Sequence, residues 1–503
     1  LSTPSFIQME FHMKLYNVVQ KRTGRALWDL LLFALMTLAL VGCALFPPSQ
    51  LQSNRAKNII LFIGDGMGVS TVTAARIFDG QSQGMRGEEH VLPFERFDQV
   101  ALVKTYNTNQ QVPDSAGTAT AIFSGTKTKA GVIGIGPEAK RRNCDDALQY
   151  PVQSIGEIAK RRGKSVGIVT TTRITHATPA SLYAHAPDRI WESDKYLPED
   201  DWAQGCRDIA WQLLNLESDS GLDIVMGGGR REFYGADFGG SRRTSNEDLI
   251  APWLAGDPLR NFIDDVSGLD DIRSDEQILG LFSESHMTYV AQRADDTTEP
   301  TLSQMTSAAI DRLTAGPEGY FLLVEAGRID HGHHVGIPGY AMLETQALAR
   351  AVETALKKVD LDDTLVMVTA DHSHVFTIGG YPTRGNPILG LVVENDGTGK
   401  PNVAPARAED GSTYRTVQYA NGIGAIASLP RQDPSLGVHS RAQALFARRG
   451  IGFDGSVSNS ETHGGEDVAL YASGAGAEGV RGVIEQNLLF DIMMSAYGWS
   501  SAK

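Results

Sequence analysis

Five apolar runs constrain this chain more than any other feature of it. Asn58-Ile-Ile-Leu-Phe-Ile63, Ser165-Val-Gly-Ile-Val-Thr170, Asp223-Ile-Val-Met226, Tyr320-Phe-Leu-Leu-Val324 and Thr364-Leu-Val-Met-Val-Thr369 are continuously apolar rather than alternating. A strand of that kind must be covered on both faces, which is the condition of a parallel sheet. Helical signals fall between the runs. Ser154-Ile-Gly-Glu157 is a capping box opening a helix that closes at Gly163, and Met342 to Lys358 has helical periodicity. The fold class is therefore α/β, a mostly parallel central sheet flanked by helices. Val468-Ala-Leu-Tyr471 reads as the last strand. Residues 230–300 are acidic and irregular and read as surface excursions. Residues 376–460 are rich in Gly and Pro, with short β-like runs such as Ile388 to Val393, and read as an inserted β-rich subdomain. No internal repeat is visible.

The chain has 503 residues and a formal net charge of −15, which is length enough for a large core. So acidic a balance carries no signal for nucleic-acid binding, but it leaves room for a pocket made positive by metal ions. Near the N-terminus Lys21, Arg22 and Arg25 precede an apolar run from Ala26 to Gly42, broken by Asp29 and Thr37. That pattern is a secretion signal. It ends in Leu40-Val-Gly-Cys43, which resembles a bacterial lipoprotein cleavage box and makes Cys43 the expected lipidation site. A retained membrane-anchor helix is the other reading. Residues 1–12 are unlike a signal and read as lying upstream of the true start, with Met9 and Met13 as candidate starts. The organisation expected is a signal segment over 1–43, a tether over 44–55, and a catalytic domain over 56–375 and 461–500 interrupted by the insert. Beyond the leader only Cys144 and Cys206 remain. Two cysteines in an exported chain suggest one disulfide; two unpaired buried thiols are the alternative.

The chemistry gathers where the strands end. Open parallel sheets form their sites beyond the carboxyl ends of the strands, and Asp65, Glu325 and Asp371 each stand just after a strand-like run. One such acid alone reads as a helix cap or turn residue; three converging acids repel unless cations lie among them. Histidines add nitrogen ligands in Asp330-His331-Gly332-His333-His334, in Asp371-His372-Ser373-His374, and at His463 within Glu461-Thr-His-Gly-Gly-Glu-Asp467. A lone histidine is usually a core or surface residue, whereas clusters beside acids fit zinc. Not every member can ligate, and His333 and His374 are assigned supporting roles behind the ligands. The remaining stretch is Pro113-Asp-Ser-Ala-Gly-Thr-Ala-Thr-Ala121. Its small side chains let backbone amides crowd around whatever Ser115 attacks, and a helix starting there aims amides at an anion. A serine needs a base, a shifted pKa or a metal to become a nucleophile. Alone, the stretch reads as a turn.

Together these residues resemble the alkaline phosphatases, the animal-type branch more closely than the enteric bacterial one, in a bacterial lipoprotein form. The segments that carry the resemblance are Gly64-Asp-Gly-Met-Gly68, the Ser115 stretch, Thr170-Thr-Thr-Arg-Ile-Thr-His-Ala-Thr-Pro179, Val324 to His334, Thr369-Ala-Asp-His-Ser-His374 and Glu461 to Asp467. The resemblance implies two zinc ions and one magnesium. Asp330, His334 and His463 would hold the first zinc, and Asp65, Asp371, His372 and the Ser115 oxygen the second. Asp65, Thr178 and Glu325 would hold magnesium. The donor types agree, since imidazole suits zinc and carboxylate or hydroxyl oxygen suits magnesium. Arg189, in Tyr183-Ala-His-Ala-Pro-Asp-Arg189, falls on the family's phosphate-binding arginine. Without that motif it would read as a surface ion pair. His176 and His331 fall on supporting positions near magnesium and phosphate, Cys144 and Cys206 match a family disulfide, and the insert becomes crown-like.

The implied function is hydrolysis of small-molecule phosphate monoesters through a phosphoserine on Ser115. A homodimer is implied, exported to the periplasm or cell surface on an N-terminal lipid. Phosphodiester, phosphonate or sulfate-ester hydrolysis is one alternative, and a catalytically silent surface lipoprotein is another. The family's fourth, calcium site is expected to be weak or empty. Phe282 is kept, but Ser283 stands where the family has an acid, Glu299 replaces an aspartate, and Gly239-Gly240 offers no remaining acid.

Overall fold

The structure is a computed structural model, and it describes residues 55–216, 221–425, 434–447, 450–451, 457–458 and 460–500. The signal segment, Cys43 and the tether up to residue 54 lie outside the described residues.

Ten strands form the central sheet. They are β1 (Asn58–Gly64), β2 (Gln99–Lys104), β3 (Ser165–Arg173), β4 (Ile224–Gly228), β5 (Arg260–Ile263), β6 (Gln277–Leu281), β7 (Tyr320–Ala326), β8 (Thr364–Ala370), β9 (Val468–Gly474) and β10 (Gly482–Glu485). The order across the sheet is β10-β2-β9-β8-β1-β7-β3-β4-β6-β5. From β8 to β5 every neighbour is parallel. The continuous apolar runs are buried as their composition demands: Ile59, Ile60, Leu61, Phe62 and Ile63 are all 0% exposed. Full burial of such a side chain is worth about 1.5–3 kcal/mol, so the centre of the sheet is also its most stable part.

Three local readings change. Val468 to Tyr471 is not the last strand: β9 runs to Gly474, lies antiparallel between β8 and β2, and β10 follows it. The stretch 230–300 is not all surface, because β5 and β6 extend the sheet. Both are short, and acids and turns between them hid the pattern. Ile388 to Val393 is not a strand; Gly390 N–H closes a turn onto the Pro387 carbonyl at 2.7 Å. Its apolarity serves a small core instead, where Ile388 packs with Phe376, Val417 and Tyr419. The accessory sheet of that region is built from Phe376–Ile378, Val417–Asn421 and Ala444–Phe446.

The helices that matter for the site are α1 (Val69–Ser82), α2 (Ser115–Ser124), α3 (Ile155–Arg161), α4 (Leu302–Thr314), α5 (Arg328–His334), α6 (Pro338–Leu356) and α7 (Leu488–Ala496). The Ser154 capping box opens α3 as expected, with Glu157 N–H on Ser154 Oγ at 3.1 Å and Ser154 N–H on Glu157 Oε2 at 2.7 Å. Gly163, at φ +79°, lies just past its end. Helix α6 starts earlier than its periodicity suggests, because Pro338 supplies the fixed φ of a first helical residue. Cys144 and Cys206 form a disulfide, which removes the alternative of two free thiols.

Register then places the chemistry. On β1, Ile63 faces Glu325 of β7 and Thr369 of β8, and Gly64 faces Ala326 and Ala370. Asp65, Glu325 and Asp371 therefore emerge side by side at one carboxyl edge.

Candidate active site

Helix α2 begins at Ser115, and its first turn is set by Asp114. One carboxylate oxygen of Asp114 caps the helix by accepting from Gly117 N–H at 3.1 Å and also accepts from Asn107 Nδ2 at 3.1 Å. The other accepts from Gly131 N–H at 2.9 Å and from Arg189 Nη1 at 3.2 Å. With the Gly117 amide held by the cap, Ser115 and Ala116 are the first-turn amides left without a helical acceptor. The small residues after Ser115 serve packing: a Cβ at position 117 would stand 2.6 Å from the Asn107 amide oxygen. Ser115 is buried, with its Oγ 3.2 Å from His372 Nε2.

His372 follows Asp371 at the end of β8. Its Nε2 lies 3.2 Å from Asp371 Oδ2 and 3.5 Å from Asp65 Oδ1. Asp371 is oriented by Gly66 N–H at 2.9 Å and by its own neighbour's amide, His372 N–H, at 2.8 Å. Asp65 has no such support: both of its carboxylate oxygens are buried without a hydrogen-bond partner. Burial, together with Asp371, Asp330 and Glu325, pushes its pKa well above the usual carboxylate range.

A second cluster surrounds Asp330 on α5. His334 Nε2 and His463 Nε2 lie 3.2 and 3.4 Å from Asp330 Oδ1. Their Nδ1 atoms rest against backbone carbonyls, of Glu461 and Pro113 respectively, each at 2.8 Å. A carbonyl can only accept, so each Nδ1 donates to it and each Nε2 is the ring nitrogen turned toward the carboxylate and open to a cation. His463 arrives through a two-residue strand pair, His463–Gly464 against Ser373–His374.

A third group sits at the end of β7. Glu325 Oε2 accepts from Thr170 Oγ1 and from Thr172 Oγ1 at 3.0 Å, while Oε1 is buried and unpartnered. Thr178 Oγ1, on the helical turn Ala177–Ala180, is also buried without a partner. Burial raises the Glu325 pKa to about 7. His176 Nε2 meets Arg189 Nη2 at 3.0 Å, and its Nδ1 has no partner.

The structure thus brings Ser115, Arg189 and every sequence-predicted acid and histidine ligand into one region. Asp65 with Asp371 and His372, Asp65 with His176 and Glu325, and Asp330 with His372, His374 and His463 form sets whose ligand atoms lie within 4.8 Å of one another. These buried, unpartnered oxygens and converging imidazoles fit cations. His333 lies outside these sets, whereas His374, read from the sequence as a supporting residue, has its ring nitrogens among the ligand atoms. His333 bridges Thr71 Oγ1 at 2.9 Å and Tyr419 OH at 2.8 Å. His374 lies between Asp330 Oδ1 at 2.7 Å and Glu461 Oε2 at 2.5 Å. Burial pulls its pKa down, but the carboxylates outweigh that and push it up to about 10.

Two participants were not singled out from sequence. Glu461 was quoted only as part of a motif. His286 packs edge-on against His331, ring centres 4.3 Å apart, and against His176 at 5.4 Å. A lone histidine after a short strand carries no spacing signal.

The comparisons with known proteins agree with this geometry. The alkaline phosphatase family profile matches residues 56–499. The chain is 43% identical over 466 residues to rat tissue-nonspecific alkaline phosphatase, covering 89% of this chain and 84% of the rat protein. It is 41% identical over 455 residues to the Atlantic cod (Gadus morhua) enzyme, covering 87% of this chain and 91% of that one. Among solved structures, a cold-active alkaline phosphatase from a psychrophilic Shewanella superposes with a TM-score of 0.60 at 26% identity, covering 88% of this chain and 99% of the other. The chain belongs to the alkaline phosphatase family and is an enzyme of that kind, a hydrolase of phosphate monoesters.

Proposed function

We propose that catalysis proceeds through a covalent phosphoserine on Ser115. The observation that carries this reading is the placement of Ser115 Oγ at the N-terminus of α2, buried and 3.2 Å from His372 Nε2. Asp330, His334 and His463 would hold one zinc, Asp65, Asp371, His372 and Ser115 Oγ a second, and Asp65, Thr178 and Glu325 a magnesium. When bound, the ions supply Lewis-acid charge that favours the serine alkoxide and neutralises phosphoryl oxygens.

The chain's own residues do the rest. Ser115, giving up its hydroxyl proton, attacks phosphorus in line, the ester P–O bond breaks and the alcohol leaves after taking up a proton; water then attacks the phosphoserine, its P–O bond to Ser115 breaks, and inorganic phosphate and the serine hydroxyl are released. Arg189 holds two phosphoryl oxygens through its planar guanidinium. Asp114 and His176 orient that guanidinium from two sides. The free amides of the first turn of α2 face the developing negative charge. His463 and His334 keep their Nε2 atoms inward because Pro113 and Glu461 carbonyls hold the other nitrogens.

The same reading takes Cys43 as a lipid attachment, the protein as an exported homodimer, and 376–460 as a crown-like insert. The Cys144–Cys206 disulfide supports an oxidising compartment. No calcium is proposed: Glu284 pairs with Arg230 at 3.0 Å, and Glu299 accepts from Thr288 N–H at 2.9 Å and Arg293 at 3.4 Å. These acids already have partners.

The test is release of phosphate from an aryl phosphate at alkaline pH, before and after treatment with a chelator, with acid quenching to trap phosphoenzyme. Chelator-sensitive release with phosphate on the Ser115 peptide is expected. Chelator-resistant turnover, or phosphate trapped on another residue, would overturn the reading.

A further inference from the structure

Beneath Arg189 lies a clamp that shares no residue with the ligand clusters. Asp188 is 0% exposed. Its carboxylate accepts from Arg141 Nε at 3.2 Å and Nη2 at 2.8 Å, from Arg142 Nε, and from Ile190 N–H at 3.2 Å. Two guanidiniums on one buried carboxylate, one of them bidentate, satisfy a charge that burial would otherwise make unfavourable. Arg142 also grips the backbone, donating its N–H to the Pro187 carbonyl at 3.0 Å. Arg142 has φ 61°, and it is the one non-glycine in the left-handed region among the described residues. Side-chain-bearing residues persist there only where their surroundings hold them.

Gly131 joins this clamp to Arg189. Its N–H donates to Asp114, and its carbonyl accepts the Arg189 N–H at 2.8 Å. A Cβ on Gly131 would stand 2.4 Å from Arg141 Cζ, so the Arg141 guanidinium lies directly on the glycine. Both ends of the arrangement run into one small core, where the Cys144–Cys206 disulfide packs with Val132, Ile135 and Trp191. Cys144 follows closely on Arg142, and Trp191 on Arg189.

We propose that Asp188, gripped by Arg141 and Arg142, is a positioning residue that fixes the path of the Arg189 backbone and so aims its guanidinium at the phosphoryl group. The proposal rests on the reading of Arg189 as the phosphate-binding residue. The clamp need not touch substrate. It acts through Arg189 alone, so loosening it weakens phosphate binding only while Arg189 is present.

The experiment is a double-mutant cycle on the metal-loaded enzyme. Arg141→Gln, Arg142→Gln, Arg189→Ala and the two double variants are compared for inhibition by inorganic phosphate and for KM on an aryl phosphate. Each clamp variant is expected to raise the phosphate inhibition constant and KM by roughly tenfold, below the ~100-fold that a displaced catalytic group can cost. In the Arg189→Ala background the same substitutions are expected to change the constant by less than about twofold, because coupled sites are not additive. Full additivity, or unchanged constants in the clamp variants, overturns the proposal. Should Arg141→Gln not fold, Arg142→Gln, whose side chain is 54% exposed, carries the test. If Arg189→Ala itself leaves phosphate inhibition unchanged, the reading of Arg189 fails first and the clamp proposal falls with it.

Discussion

His334 Nε2 and His463 Nε2 stand 3.1 Å apart, each turned toward the same oxygen of Asp330. With both Nδ1 atoms held on backbone carbonyls, the two Nε2 atoms and the Asp330 oxygen converge on one point suited to a cation. The arrangement is complete only with a cation. His463→Ala is therefore expected to lower zinc affinity by more than the roughly 10–100-fold seen on losing an outer partner of a ligand. Metal analysis after dialysis should find one zinc per chain fewer than wild type. Unchanged zinc content would count against the assignment.

Ser115→Ala keeps the helix start, because Asp114 rather than Ser115 makes the cap. Turnover is expected to fall by at least about 10³-fold while inorganic phosphate still binds, since nucleophile and binding groups are separate. Mass spectrometry of acid-quenched enzyme should show no phosphopeptide.

Glu344 lies fully inside α6 territory with one hydrogen bond, from Val290 N–H at 2.7 Å. Burial raises its pKa to about 7 against that bond and nearby arginines. A raised carboxyl binds more protons folded than unfolded between these pKa values. Its contribution to stability is greatest below the unfolded value and is lost as pH rises through the folded one. Glu344→Gln should thus unfold at a higher temperature than wild type near about pH 9, by on the order of 1–3 kcal/mol of stability. Near about pH 5 the difference should vanish. Thermal melts of metal-loaded protein at both pH values check this.

The disulfide closes a separation of 62 residues. Replacing Cys144 and Cys206 by Ser is expected to cost about 2–4 kcal/mol. Denaturant unfolding of the double variant measures it directly.

Calcium analysis after dialysis against calcium-free buffer is expected to find none retained. One calcium retained per chain would overturn that expectation.

The site was legible in sequence because strand ends and acids coincide: Ile63 before Asp65, Val324 before Glu325 and Ala370 before Asp371 fix both fold and chemistry at once. Ser115, the proposed nucleophile, was legible from its motif, but the reason for its small neighbours was not, since Asn107 reaches Gly117 from a separate loop. The edge strands β5 and β10, and β6 beside β5, are not marked in the sequence. They are short, and Gly280 and Gly482 interrupt the apolar pattern that made the central strands visible. His286 escaped notice because its partners come from distant segments. Ile388 to Val393 misled because apolarity in a turn-rich segment fed a local core rather than a ladder.

The position of β9 between β2 and β8 has a consequence for how the enzyme is made. Strand β2 stands early in the sequence, yet its neighbours in the sheet are β9 and β10, more than 360 residues downstream. The parallel half pairs without β9; β2 joins it only through β9, and His463 lies just upstream of that strand. Pairings between such distant segments are slow to form. The segment from His463 through β9 thus acts as a latch, closing the sheet between β8 and β2 and delivering an imidazole to the Asp330 cluster in one event.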